Sequence, residues 1–160
     1  MQSSRLSNHR GVALIEFALI LPLLLILTFI TTEFGRALYQ YNTLTKAVRD
    51  ASRYLSVQDP TIAKNDIQLI SKAKNLLVFG NIAGTGSPLA VGLSLSQVPT
   101  PTWQHAGASP VINTVTIRIA GCATSAPPCY KFTPLISGAF GVNFGTVNFA
   151  DISATMRAPL

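Results

Sequence analysis

A single carboxylate, Glu16, lies inside the apolar run of residues 12–30, five positions after Gly11. On membrane-insertion scales a charged side chain at the centre of a spanning helix costs about 2.5–3.5 kcal/mol, so such a residue usually marks a function or a partner. Phe17 follows it directly. The alternative is that Glu16 extends its carboxylate to the near headgroups, because it lies about one turn into the helix.

Two cysteines offer a second kind of chemistry. Cys122 and Cys129 flank Ala-Thr-Ser-Ala-Pro-Pro, a turn-forming stretch in which a disulfide would close a small loop. Such a pair is expected in an oxidising compartment such as the bacterial periplasm, which predicts that the C-terminal part lies outside the cytoplasm. The alternatives are two reduced thiols or a zinc site. Zinc is disfavoured, because His9 and His105 are remote in sequence and no second close pair completes four ligands.

The remaining ionisable residues do not form a recognisable catalytic set. The chain has only six acids, no Ser/His/Asp or Cys/His group in a motif context, and no glycine-rich phosphate loop before a helix. We therefore expect no catalytic residue, no metal and no cofactor. A membrane-anchored hydrolase is the weakest of the functional hypotheses. The net charge is +6, but the basic residues are spread without an aromatic-interleaved patch, so no nucleic-acid role is expected.

The apolar run is long enough to position Glu16 within a membrane. Residues 12–32 form a segment of roughly 30 Å as a helix, enough for one crossing of the hydrocarbon core. A removable signal would have a shorter apolar region and a small-x-small site, for which Gly35-Arg36-Ala37 is a poor and late candidate. Pro22 predicts a kink, because it lacks an N–H. Residues 1–11 are basic, with Arg5 and Arg10 and no acid, and are predicted to be a cytoplasmic leader.

A heptad pattern extends the helix beyond the span. It predicts an extramembrane continuation over residues 33–57, in which Glu33 has no assigned role. The apolar seam would contact either the chain's own globular domain or helices of neighbouring subunits. Its members are Phe34, Ala37, Tyr41, Leu44, Val48, Ala51 and Leu55.

Residues 58–160 are predicted to form one small domain. Asp59 and Pro60 are a good N-cap and first position for a second helix that ends near Phe79-Gly80. From Gly80 to Pro110 the composition predicts loop around one short strand, residues 89–95. Trp103 would lie on this loop, either anchoring it to the core or forming a contact site. The apolar face of the second helix is predicted at Ala63, Ile67, Ile70, Ala73 and Leu77.

Past residue 110 the apolar period changes to two. Val111, Val115, Ile117 and Ile119 are predicted to face one way and polar residues the other, as in a half-buried strand. A second strand begins at Tyr130, so the stretch resembles a hairpin closed by the disulfide. A third strand is predicted over residues 146–157, with a bulge near Ala150-Asp151. Helices first and antiparallel strands later predict an α+β fold, with a long membrane-spanning helix followed by an extracytoplasmic domain.

Three stretches resemble those of TadE-like pseudopilins. They are RGVALIEFALILPLLL at residues 10–25, EFGRAL at 33–38 and ASRYL at 51–55. The resemblance implies a pilin-like N-terminal helix and a minor component of a tight-adherence (Flp) assembly system of the type IV pilus class. It also implies a single-pass protein of the bacterial inner membrane, with a cytoplasmic N-terminus and a periplasmic domain, that can be extracted into a pilus.

The same resemblance assigns roles near the N-terminus. A membrane prepilin peptidase would cut after Gly11 and free Val12 as the new N-terminus, and Glu16 and Phe17 would follow in the segment used for recognition and assembly. Glu16 would then pair with the new α-amino group of a neighbouring subunit. The implied partners are the peptidase, other pilin-like subunits and inner-membrane assembly proteins. The rival hypothesis is a membrane-anchored periplasmic binding or adhesion module whose leader is never cut.

Overall fold

The computed structural model describes residues 10–158, which form two compact units. One unit comprises residues 10–35 with Pro134–Gly145. The other comprises Arg36–Thr133 and the chain from Thr146 onward. Most of the predicted leader, including Arg5 and His9, lies outside the described residues.

The first helix, α1, spans Arg10–Ser56 and includes Pro22. In its apolar half the hydroxyls of Thr28, Thr31 and Thr32 donate to the carbonyls four residues earlier, which satisfies these polar groups within the helix itself. Among the described residues, α1 is the one helix long and apolar enough to cross a membrane, and its most apolar stretch is not buried inside the protein. The predicted α+β class with a candidate membrane helix is confirmed.

The second half of α1 forms one side of the hydrophobic core. Leu44, Val48, Ala51 and Leu55 are fully buried and belong to one core cluster with residues of a later helix and of the sheet, both described below. Ala37 is also buried, whereas Phe34 and Tyr41 are 64% and 42% exposed. Most of the seam therefore packs on the chain's own globular unit, and Phe34 is left exposed at its start.

Two helices replace the single second helix that the sequence predicts. The helix α2 is Pro60–Ala63, capped by Asp59, and α3 is Ile67–Phe79. The prediction of one helix was wrong because Asp66 is a second N-cap, whose carboxylate accepts the N–H groups of Gln68 and Leu69 and starts a new helix.

The predicted apolar face is confirmed only in part. Ala63, Ala73 and Leu77 are buried and Ile70 is half-buried, but Ile67 is exposed at the start of α3. Gly80, with a φ of 73°, ends α3 in the left-handed conformation that a glycine adopts without strain.

The segment after Gly80 differs from prediction in two places. Residues 89–95 form turns rather than a strand, because Gly92 adopts a left-handed φ of 80° and a 3₁₀ turn follows at Leu95–Gln97. Trp103 lies not on a loop but in the first strand, β1 (Thr102–Ala106), which pairs with β2 (Ile112–Ile119). Pro99 and Pro101, which directly precede β1, are compatible with a strand here because β1 lies at the edge of the sheet.

The central sheet has the order β1-β2-β7, and both pairings are antiparallel. In β2 the predicted alternation is confirmed for Val115, Ile117 and Ile119, which are buried. Val111 was wrongly included, because it precedes β2 and is exposed. The strand β7 is Ile152–Arg157 and pairs Ile119 with Ile152.

The predicted hairpin across the cysteine loop was wrong. Both edges of β2 are occupied by β1 and β7, so β3 (Lys131–Phe132) pairs instead with β6 (Val147–Asn148). After β2 the two sides of the cysteine loop meet in an isolated parallel bridge between Gly121 and Tyr130 rather than in a hairpin. The predicted third strand, residues 146–157, is divided into β6 and β7 at residues 149–151, where a bulge had been expected.

A separate hairpin belongs to the unit that contains the apolar half of α1. Its strands, β4 (Gly138–Ala139) and β5 (Val142–Asn143), pair antiparallel. The turn between them consists of Phe140 and Gly141, both with positive φ.

The core on the second half of α1 predicts unequal effects of two leucine substitutions. Leu44→Ala should lower the free energy of unfolding by about 2–5 kcal/mol, because it removes a fully buried side chain. Leu38→Ala, at a position of the same helix that is 49% exposed, should change it by less than about 0.5 kcal/mol. Urea titration of the full-length protein in detergent, followed by Trp103 fluorescence, measures both. Equal effects would contradict this packing.

Candidate functional site

The residues predicted to be processed and assembled lie in the first turns of α1. Val12 and Phe17 are 66% and 57% exposed, and Gly11 and Glu16 are exposed as well. Val12 and Glu16 are four residues apart and so lie on one helix face, one turn from each other. This face is available to lipid, to a peptidase or to another helix.

Glu33 has a structural environment that the sequence does not predict. It is buried, and its Oε1 accepts hydrogen bonds from the N–H groups of Leu135 and Ile136, at 3.2 and 3.4 Å. Its position just beyond the apolar segment is the one sequence feature that hints at a role for Glu33. Its hydrogen-bond partners could not be predicted, because they lie about a hundred positions later in the chain. Glu33 thus fastens the segment 134–145 to the helix within one unit.

Arg36 and Gln40 of α1 contact residues 130–133, the segment that contains β3. The Arg36 guanidinium lies 4.7 Å from the centroid of the Phe132 ring and donates to the Thr133 carbonyl at 2.9 Å. The Tyr130 hydroxyl donates to Gln40 Oε1 at 2.9 Å, and both side chains are buried. Burial raises the pKa of Tyr130, so the hydroxyl stays protonated and able to donate.

The cysteine loop is closed and held at its base by a carboxylate. Cys122 and Cys129 form a disulfide with their Cα atoms 5.0 Å apart. Asp151 Oδ1 accepts from the Gly121 N–H at 2.9 Å and from the hydroxyls of Thr124 and Ser125 at 2.7 and 2.9 Å. The loop therefore depends on a residue from the break between β6 and β7.

Gly121 permits the close approach that this arrangement needs. A Cβ atom at this position would lie 2.3 Å from the Phe149 carbonyl oxygen and 2.4 Å from that of Ala150. Only glycine lets the two backbone segments come this close.

The hydrogen bonds around Asp151 change its acidity. Burial acts to raise the pKa, but the bonds from Thr124, the Gly121 N–H and Ser125, together with the ion pair to Arg118, lower it from 3.8 to about 2. The carboxylate is therefore ionised throughout the physiological range, and its charge is used to hold the loop.

Trp103 and His105 lie beside a shallow cleft. The cleft has a volume of about 200 Å³, and Lys64 and Asn113 are among its other lining residues. Trp103 packs against the core cluster, as the anchoring alternative predicts, and its indole N–H is buried without a hydrogen-bond partner among the described residues.

The comparisons with known proteins bear on the N-terminal helix. Residues 11–53 match the family model of TadE-like proteins. This match includes nearly all of the three stretches that carry the resemblance, and it confirms that resemblance over residues 11–53. No curated protein and no solved structure matches the chain.

The Asp151 network predicts an acid-dependent loss of stability. Because the folded-state pKa of about 2 lies below the ordinary value of 3.8, ionised Asp151 stabilises the fold above about pH 4, and this contribution is lost as the pH falls from about 4 to 2. Asp151→Asn should lower the free energy of unfolding at pH 7 by about 1–2 kcal/mol, after allowance for solvent screening, and should weaken this pH dependence.

Denaturant titrations across pH 2–7 measure the effect, with Asp50→Asn, at an exposed carboxylate on α1, as the matched control. An Asp151→Asn variant with an unchanged acid profile would contradict the assignment.

Proposed function

From the match of residues 11–53 to TadE-like proteins, we propose that this chain is a minor pseudopilin of a tight-adherence (Flp) assembly system. It is anchored in the bacterial inner membrane by α1, with its N-terminus in the cytoplasm and the cystine-containing domain in the periplasm. Prepilin peptidase cuts after Gly11. The mature protein then assembles through its N-terminal helix with other pilin-like subunits and inner-membrane assembly proteins.

The observation that carries this proposal is the exposure of the family-matched N-terminal turns. Gly11, Val12, Glu16 and Phe17 are accessible on the helix surface. A peptidase needs access to the Gly11–Val12 bond, and a neighbouring subunit needs access to Glu16. Both requirements are met by this surface.

Glu16 sets the register between neighbouring subunits and contributes little to the overall stability of the assembly. In an apolar environment an isolated carboxylate and an isolated ammonium group are each costly, and their attraction offsets this cost only when the geometry is good. Cleavage after Gly11 would create the ammonium group on Val12. A neighbouring subunit would therefore be favoured in the register that brings its Val12 amine to Glu16.

The globular unit limits which part of α1 can join other helices. Leu44, Val48 and Leu55 are already covered by the chain's own core, whereas Leu14, Leu19 and Leu23 are 68%, 75% and 69% exposed. Helix-to-helix assembly is therefore assigned to the apolar half of α1. The exposed apolar residues of this half provide area for packing against other helices, and Glu16 would set the register of that packing.

Two substitutions separate processing from assembly. Gly11→Ala should block cleavage, because the new methyl group lies at the scissile bond. Glu16→Ala should leave cleavage intact but reduce recovery with the other subunits by more than about tenfold, since removing one partner of a buried ion pair costs about 3–5 kcal/mol. N-terminal sequencing measures the first effect, and co-purification from detergent-solubilised membranes measures the second.

Two control variants sharpen the test. Glu16→Gln keeps the side chain's shape without its charge and should fail like Glu16→Ala, whereas Asp50→Ala removes an exposed carboxylate from the other half of α1 and should behave as wild type. Normal cleavage of Gly11→Ala and undiminished assembly of Glu16→Gln would instead favour the unprocessed binding or adhesion module.

A further inference from the structure

The segment Pro134–Gly145 has the composition of a membrane-contacting element. None of its twelve residues is charged, and it contains two phenylalanines together with Leu135, Ile136 and Val142. Leu135 and Phe140 are 74% and 60% exposed, and Val142 is exposed as well. An exposed, uncharged apolar surface of this kind marks a contact with lipid or with another protein.

The attachment of this segment fixes its place along the helix. It forms one compact unit with residues 10–35 rather than with the rest of the globular domain. The Glu33 carboxylate accepts the N–H groups of Leu135 and Ile136, and Glu33 directly follows the predicted span of residues 12–32. The segment therefore begins where α1 leaves the hydrocarbon.

The burial pattern of α1 distinguishes one face of the span from the others. Within residues 21–30, the half-buried side chains are Pro22, Leu25, Ile26 and Phe29, and the others are exposed. Their spacing of three and four residues places them on the helix face that carries Glu33. The hairpin is therefore fastened to the same face of α1 that carries the half-buried side chains of the span.

The hairpin suits the boundary between headgroups and acyl chains. Its strands β4 and β5 satisfy each other's backbone groups, and the Phe144 N–H donates to the Ser137 carbonyl at 3.0 Å. Its tip places Phe140 in a left-handed conformation (φ 51°), a position more usually taken by Asn or Gly. The exposed ring is at the tip itself, and aromatic residues are enriched at membrane interfaces.

We propose that Pro134–Gly145 is a second membrane contact, a hairpin that inserts Phe140 and Val142 into the lipid interface of the leaflet from which α1 emerges. Lipid is the favoured occupant because the hairpin is continuous with the membrane-spanning unit and has no charged side chain with which to specify a protein partner. This inference rests on the proposed anchoring of α1 in the membrane. The hairpin would fix the tilt and rotation of α1 at the point where the helix leaves the membrane.

The test places one indole at the hairpin tip of the full-length protein in liposomes. Trp103→Phe provides the background, because the Trp103 indole N–H has no hydrogen-bond partner to lose. Phe140→Trp then reports on the tip, Leu24→Trp on the span, and Ile67→Trp on a site that is 81% exposed. Quenching by brominated lipid, with the bromines near the headgroups in one preparation and deep in the acyl chains in another, and by aqueous acrylamide is measured for each variant.

The expected result is that Phe140→Trp and Leu24→Trp lose most of their emission to brominated lipid, while Ile67→Trp is quenched mainly by acrylamide. Adding Glu33→Ala to Phe140→Trp should shift its quenching from lipid toward acrylamide, because the fastening of the hairpin is removed. A Phe140→Trp signal quenched by acrylamide alone, or blue-shifted but insensitive to both quenchers as in a protein contact, would overturn the proposal. Failure of Leu24→Trp to respond to lipid would instead overturn the membrane anchoring itself.

Discussion

The apolar half of α1 sets the constraint on which the rest of the molecule depends. Its leucines and isoleucines are exposed, and no other described part of the chain covers most of them. Water is an unfavourable environment for such a surface, so lipid or other helices must cover it. Glu16 adds a carboxylate to this surface, and an apolar helix alone offers it no counter-charge. In the function proposed above, the Val12 amine of a neighbouring subunit supplies that counter-charge.

The other half of α1 has the opposite role, because it is the element on which the globular unit is built. Leu44, Val48 and Leu55 fill the core from one side, and the β2 residues Val115 and Ile117 are in the same cluster. One continuous helix therefore combines an exposed apolar surface with a buried face on which the globular unit folds. In the function proposed above, the apolar half of α1 joins other subunits, and the core of the globular unit uses only the other half.

Much of this arrangement could be predicted because it depends on local periodicity. The three- and four-residue spacing identified α1, and the two-residue alternation identified β2. What local spacing could not predict depends largely on residues far apart in the chain. Trp103 is in a strand because β2 has a free edge for β1, and Glu33 is buried because the N–H groups of Leu135 and Ile136 return to it. The second N-cap, Asp66, was a local signal that the apolar pattern of one long helix obscured.

The central claim is that the chain is a pilin-type precursor cut after Gly11. Its most direct test is the intact mass of the protein purified from membranes of cells with and without an active prepilin peptidase. The account predicts loss of residues 1–11 only when the peptidase is present, leaving a chain that begins at Val12. An uncut chain in both preparations would contradict the account and leave a plain membrane-anchored domain.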